Sequence, residues 1–152
     1  MAELVRFVFI PEGEKATYSE HEAFDFPVGT VLVKTFAMPA DTANRGENET
    51  IIETRLLIHR DNGWVARPYY WDSEADASLA IAGKSVENMT TQHNGQTLTF
   101  TYAVPKASSC TSCHSVVPLL QGSEDQRQPI FKPIGPKARY LNKDFDYEGY
   151  NR

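Results

Sequence analysis

The chemistry in this sequence centres on two cysteines three positions apart, with a histidine directly after the second. They are Cys110, Cys113 and His114, and the 152-residue chain has no other cysteine. Cys-x-x-Cys-His is the pattern of a c-type haem attachment site. Each thiol of such a pair forms a thioether to a haem vinyl group, and the adjacent imidazole becomes an axial ligand of the iron. The motif therefore predicts one covalent haem c, which supplies one-electron chemistry.

The motif leaves open the ligand on the far side of the iron. Met38, Met89 and His93 are the candidates, since methionine raises and histidine lowers the reduction potential of a haem. Each also has a structural explanation, as core filling for Met38 and as sheet or hairpin surface for the other two. A vacant position is the fourth alternative. Lys137 and Arg139 are expected to pair with the haem propionates, because cationic side chains bind carboxylates.

Non-haem uses of the two cysteines compete with this interpretation. A structural zinc site needs a fourth ligand, which His21, His59 or His93 would have to provide. A redox-active dithiol is usually found beside a βαβ unit, and no such pattern occurs in this chain. A disulfide between the two cysteines would be strained.

Composition limits the classes of function. The hydrophobic share is 41% and the charged share is 23%, which is typical of a globular protein. A net charge of −5 argues against nucleic acid and against anionic lipid as partners. The apolar runs are too short to span a membrane. The length favours a single domain over residues 1–152.

The elements that must position the motif are predicted to be mainly strands. Strand patterns cover residues 5–10, 30–36, 50–59, 64–71, 89–93 and 96–104. Asn-Gly pairs at residues 62–63 and 94–95 predict tight hairpins. In the third strand, alternation places Ile52 and Thr54 on one face and Glu53 and Arg55 on the other. Pro68 predicts an edge position or a bulge for the fourth.

Helical signals are few. Residues 73–82 are expected to form two helical turns, with Ser73 as the N-cap. A second short helix is expected to begin near the cysteines, carry the haem motif and run to Leu120. From about residue 121, prolines and glycines predict an irregular segment that wraps the surface. The predicted fold class is mainly β, of the α+β type, with an antiparallel sheet and short helices.

Several sequence blocks carry a resemblance to a known family. They are FPVGTVLVKTF at residues 26–36, ETRLL at 53–57, GW at 63–64, YAVP at 102–105 and PIGPKARYLN at 133–142. With these blocks the chain resembles the first haem-bearing half of a family of bacterial dihaem c-type cytochromes. The likeness extends from about Arg6 to Tyr147. A more distant likeness, carried by a Gly-Thr-Val-x-Val-Lys strand, a later Trp and the haem motif, is to cytochrome c′-beta and its lysine-crosslinked relatives. Those proteins cover the haem with an antiparallel sheet.

The resemblance implies an exported protein, periplasmic or extracellular, whose signal peptide has been removed or lies outside this chain. A second cytochrome module follows in that family, so a redox partner protein or a second cytochrome domain is the expected partner. A homodimer is expected by analogy. The predicted function is a monohaem c-type cytochrome domain that transfers single electrons. The alternatives are an open-iron haem domain acting on peroxide, hydroxylamine or nitric oxide, and a non-haem zinc or structural module.

Overall fold

The main element of the fold is a five-stranded antiparallel sheet whose strands follow one another in sequence order. The computed structural model describes residues 3–73, 76–117 and 129–141. The five strands are β1 (Glu3–Phe9), β2 (Val31–Pro39), β3 (Glu49–Arg60), β4 (Gly63–Ser73) and β5 (Asp76–Leu79). The prediction of a mainly β fold with antiparallel pairing is confirmed.

Smaller elements follow the sheet. A second hairpin joins β6 (Lys84–His93) to β7 (Gln96–Val104), and a 3₁₀ helix spans Ala107–Ser112. The two-residue strands β8 (Ser115–Val116) and β9 (Ile130–Phe131) pair with each other, and the helix α1 spans Ala138–Leu141. The Cys-x-x-Cys-His motif therefore begins on a 3₁₀ helix and continues beyond its end. The predicted helix that carries the motif as far as Leu120 is wrong, because Ser115 and Val116 form a strand; residues 118–120 lie outside the described residues.

The two predicted hairpins form with different turn chemistry. Asn94 and Gly95 both have positive φ, 49° and 75°, which is the type I′ geometry that Asn-Gly favours. Between β3 and β4 the chain turns at Asp61 and Asn62, and Gly63 takes the positive φ of 105°. Both turns therefore use a glycine where a side chain would be strained.

The predicted helix over residues 73–82 is wrong. The chain there continues β4 to Ser73 and then forms β5, with Tyr70 opposite Ser78 and Trp71 opposite Ala77. Pairing with a neighbouring strand satisfies this backbone and overrides the local capping signal. The predicted edge position of β4 is wrong, because this strand lies between β3 and β5, and its register shift lies between Trp71 and Ser73 instead of at Pro68. Pro68 is tolerated because it comes one residue before the β5 ladder, where its carbonyl oxygen accepts a hydrogen bond from the N–H of Ala80 at 2.8 Å.

The two faces of the sheet differ in chemistry. The strand register places Lys34, Phe36, Glu53, Arg55 and Tyr70 on one face. Segments that follow the sheet contact this face, including β7 and the end of the 3₁₀ helix. The opposite face carries large apolar side chains, and the most exposed of them on the edge strands are Phe7 (62%), Phe9 (58%) and Leu79 (50%). Lys34, Glu53 and Arg55 thus lie on the covered face, whereas Arg67, opposite Leu56, lies on the apolar one.

The predicted surface wrap beyond residue 121 lies partly outside the described residues, which resume at 129 and end at 141. Within that stretch, β9 returns to β8, and the carbonyl oxygen of Pro136 accepts a hydrogen bond from the N–H of Phe24 at 3.0 Å. Among the described residues, no helix has the length and apolar character needed to cross a membrane.

Candidate functional site

A tight backbone turn presents the cysteine motif. The carbonyl oxygen of Cys110 accepts hydrogen bonds from the N–H groups of Cys113 and His114, at 3.3 and 3.0 Å. The 3₁₀ helix before it is anchored by the N–H of Ala107, which donates to the carbonyl oxygen of Ile81 at 2.9 Å. After the turn, the carbonyl oxygen of His114 accepts from the N–H of Lys132 at 2.7 Å. The segment that carries the motif is therefore held at one end by the turn after β5 and at the other by the residue that follows β9.

The two thiols are free and lie in different surroundings. Cys110 is partly buried, whereas Cys113 is exposed. Burial raises the pKa of the Cys110 thiol, while the nearby Arg55 cation acts in the opposite direction. Both sulfurs remain available for covalent chemistry, since neither forms a disulfide.

The imidazole of His114 packs against the protein, and one of its two nitrogen atoms has no hydrogen bond to the described residues. Its ring packs edge-on against Phe131, with the ring centres 5.8 Å apart. The Nδ1 atom is buried and has no hydrogen-bond partner in the described part of the chain. Burial lowers the pKa of His114, and the charges of Lys34 and Arg55 also lower it, although an interaction of the ring with the backbone of Lys132 acts in the opposite direction. This environment favours the neutral imidazole, which is the form that binds metals.

A buried carboxylate lies beneath the motif. The side chain of Glu53 is 0% exposed and accepts hydrogen bonds from Arg55 through Nε to Oε1 and through Nη2 to Oε2, the latter at 2.9 Å. The hydroxyl of Tyr102, on β7, donates to Glu53 Oε2 at 2.8 Å. Burial raises the pKa of Tyr102, and the bond to this carboxylate raises it further. The arrangement fixes the guanidinium of Arg55 beside Cys110.

More positive charge lies next to this ion pair. Lys34 is directly opposite Arg55 in the β2–β3 ladder, and Arg6 is directly opposite Lys34 in the β1–β2 ladder. Lys34 Nζ and the Arg55 guanidinium carbon both approach the ring of Phe36, at 4.7 and 4.4 Å from its centre. The sheet face next to the motif is therefore cationic.

The sequence interpretation did not include Glu53, Arg55, Tyr102 or Lys34 in the site. The predicted alternation of Glu53 and Arg55 opposite Ile52 and Thr54 is confirmed, but the charged side is covered. One signal was present, because a Glu-x-Arg pair on one strand face can form an ion pair within that strand. The covering segment comes from about fifty residues later, so a local pattern does not reveal the burial.

The candidate sixth ligands lie on the β2 end and on the second hairpin. Met38 and Met89 line one pocket of about 340 Å³, whose wall also includes Pro39 and Thr91. No residue of the cysteine motif lines this pocket. The Nδ1 of exposed His93, beside the β6–β7 turn, is 2.8 Å from Thr42 Oγ1. The structure thus places the two methionines at one pocket, apart from the residues of the motif.

The residues expected at the propionates contact a different segment. Lys137 Nζ is 3.4 Å from Glu22 Oε2, and Arg139 Nη2 donates to the carbonyl oxygen of His21 at 3.0 Å. These contacts tie the segment around α1 to the loop before β2.

The histidines considered for zinc are apart from the cysteines. The ring of His59 stacks on Trp64 at 4.5 Å and its Nδ1 is 2.8 Å from the carbonyl oxygen of Phe26. His21 is exposed near Glu20. Over residues 3–73, 76–117 and 129–141, no three His, Cys, Asp or Glu side chains form a group able to hold a metal ion.

The residues of the motif fit a covalent haem. The two thiols are unbonded; the first is partly buried within reach of the charges of Arg55 and Glu53, and the second is exposed. A buried polar atom without a partner is uncommon in native proteins and needs an explanation. The unpartnered imidazole nitrogen of His114 is explained if a group that is not part of the chain satisfies this ring. Cys110, Cys113 and His114 are the residues that would hold the haem.

Comparisons with protein-family models, with curated proteins and with solved structures find no match to this chain.

Proposed function

We propose that this protein is a monohaem c-type cytochrome domain that transfers single electrons. One observation carries the proposal: two free cysteines at the attachment spacing lead directly into a histidine whose buried ring nitrogen has no partner. The haem, when bound, supplies one-electron chemistry at its iron. The chain would contribute the thiols of Cys110 and Cys113 for attachment, the neutral imidazole of His114 as an iron ligand, and a sheet beside the site that partly shields it.

The positions of the two thiols support an electron-transfer role. Cys110 lies against the covered sheet face, so a group attached there is partly shielded from water. Cys113 is exposed, so a group attached there is close to the protein surface. A redox partner protein or a second cytochrome domain is the proposed electron donor or acceptor. The family resemblance motivates a periplasmic or extracellular location.

Covalent attachment is tested by producing the chain together with the haem-maturation machinery of the bacterial periplasm. We expect a Soret absorption band, and a mass increase of one haem that persists in denaturant. The absence of both would refute the proposal. The spectra of the oxidised and reduced forms also report whether a protein side chain occupies the sixth position.

Matched variants separate attachment from general effects on folding. Cys110→Ala combined with Cys113→Ala is expected to abolish the added mass. Ser112 lies between the two cysteines, and Ser112→Ala removes only its exposed hydroxyl. This variant should therefore retain the full haem content. A Ser112→Ala variant that also lacks haem would show that the loss reflects folding or maturation and not the thiols.

A further inference from the structure

Three cationic residues form a row across adjacent strands of the sheet, and this row has no role in covalent attachment. Arg6, Lys34 and Arg55 are consecutive register partners on β1, β2 and β3. Directly opposite residues in an antiparallel pair have Cβ atoms about 4.5–5.5 Å apart, and like charges in such positions are destabilising. A row of three cations therefore costs stability in the isolated chain.

The protein neutralises only part of this charge. Glu53 pairs with Arg55. Among the side chains that the structure describes, no carboxylate lies within ion-pairing distance of Lys34 or Arg6. The cluster of three cations and one carboxylate thus has a net charge of +2, whereas the whole chain has a net charge of −5.

The row is poised to donate hydrogen bonds. Arg55 uses Nε and one N–H of Nη2 on Glu53, which leaves the Nη1 donors of its guanidinium free of that carboxylate. Lys34 Nζ approaches the Phe36 ring at 4.7 Å, and its three N–H donors have no side-chain acceptor among the described residues. Guanidinium and ammonium groups with free donors are the usual ligands of carboxylate and oxyanion oxygens.

The position of the row connects it to the motif. The charges of Lys34 and Arg55 both act on the His114 imidazole, and the charge of Arg55 also acts on the Cys110 thiol. The cations expected at the propionates, Lys137 and Arg139, are directed instead to the loop that contains His21. The uncompensated positive charge next to the motif therefore comes from the sheet.

We propose that Lys34 and Arg55, assisted by Arg6, form an anion site that binds carboxylate or oxyanion oxygens beside His114. Two sources provide this chemistry. One is the propionate pair of the covalent haem, and this source rests on the function proposed above. The other is a free oxyanion that enters the site from solvent.

The test uses Lys34→Met, which keeps an unbranched side chain one atom shorter and removes its charge. Lys106→Met is the matched control, because it removes one exposed positive charge just before the 3₁₀ helix and outside the row. Since Lys34→Met also relieves repulsion within the row, we expect this variant to fold and to be more stable than the wild type.

Two measurements are made on both variants. In the haem-free full chain, inorganic phosphate is titrated and binding is followed by calorimetry. In the haem-loaded chain, the midpoint potential is measured and the phosphate titration is repeated. We expect Lys34→Met to weaken phosphate binding by about tenfold, because the loss of one charged hydrogen bond costs about that factor in affinity. If the propionates occupy the site, we expect the same variant to lower the midpoint potential of the haem. Lys106→Met should have a much smaller effect.

The outcomes separate the two sources. Phosphate binding that disappears when haem is attached, together with a potential lowered by Lys34→Met, identifies the propionates. Phosphate binding that persists in the haem-loaded chain identifies a free oxyanion. If the chain never acquires haem, the haem-free titration still decides whether the anion site exists. If Lys34→Met equals Lys106→Met in every measurement made, the anion site is refuted.

Discussion

The buried carboxylate beneath the motif provides the sharpest test of the energetics of this fold. Glu53 is wholly buried, whereas the side chain of its partner Arg55 is 30% exposed. The substitution Glu53→Gln keeps the shape of the side chain and removes its charge. The guanidinium is then left in a partly dry environment with only a neutral acceptor, and Tyr102 loses a charged acceptor as well.

The expected loss of stability in Glu53→Gln follows from the exposures of Glu53 and Arg55. Removing one partner of a buried ion pair costs about 3–5 kcal/mol. The remaining exposure of Arg55 lets water replace part of the lost interaction, and the amide oxygen still accepts a hydrogen bond. We therefore expect the free energy of unfolding to fall by about 2–3 kcal/mol, at or below the low end of that range. For a chain of this length that corresponds to a loss of about 4–12 °C in Tm.

The assay is urea denaturation of the haem-free chain at neutral pH, followed by tryptophan fluorescence and by circular dichroism. Glu22→Gln is the control, because Glu22 is 82% exposed and pairs with Lys137 at the surface. Such a pair contributes at most about 1 kcal/mol. The fluorescence and circular dichroism transitions should coincide if the unfolding is two-state.

A second variant separates charge from packing. Glu53→Leu combined with Arg55→Met removes both charges and retains apolar volume, and such replacements of buried ion pairs are often neutral. We expect this double variant to be more stable than Glu53→Gln. The reasoning is refuted if Glu53→Gln destabilises the protein no more than Glu22→Gln. It is also refuted if the double variant is the less stable of the two, since an unpaired cation would then not be the cause.

Three further predictions concern single positions of the chain. Burial raises the pKa of Tyr102, so the folded state holds the phenol proton more tightly than the unfolded state does. The free energy of unfolding should therefore decline as the pH rises above about 10, the ordinary tyrosine value. Tyr102→Phe should weaken that decline in urea titrations at alkaline pH, and an unchanged pH profile would contradict the assignment. In the haem-free chain, iodoacetamide should modify exposed Cys113 before Cys110, because the Cys110 thiol is partly buried and has a raised pKa. Mass spectrometry of timed samples would show the order of modification. Equal rates at the two cysteines would argue against the burial of Cys110. Gly95→Ala should lower the free energy of unfolding by about 1–2 kcal/mol, because the φ of Gly95 is +75° and the space around it is open. Gly83→Ala should lower it more in the same denaturation assay, because its new Cβ would lie 2.8 Å from a backbone oxygen. The reverse order would contradict the steric argument.

The strands and turns were largely predictable because their signals are local. β2 and β3 are β-branched or alternating runs, and they form where those patterns lie. The Asn94–Gly95 hairpin follows from the ease with which both residues adopt positive φ. The segment that became β5 was misassigned, because a capping serine is also a local signal but the edge of β4 competes for the same backbone.

The residues of the candidate site also fall into those that local sequence predicts and those that it does not. Cys110, Cys113 and His114 could be singled out from the sequence because the spacing of the motif is itself the chemical requirement. The buried Glu53 and the row through Lys34 could not be, because their significance depends on which strands pair and in what register. An alternating strand shows which residues share a face, but only the segments packed on that face decide whether a charge is in water.

The sequence by itself therefore determined the Cys-x-x-Cys-His motif, the strand-rich character and the turns, since each depends on residues within a few positions of one another. Only the tertiary structure decided that Glu53 is sealed beneath Tyr102 and that three cations from separate strands lie side by side. Those features arise from contacts between residues that are distant in the chain. Their energies depend on burial and on separation in space, and neither quantity is encoded by any one segment.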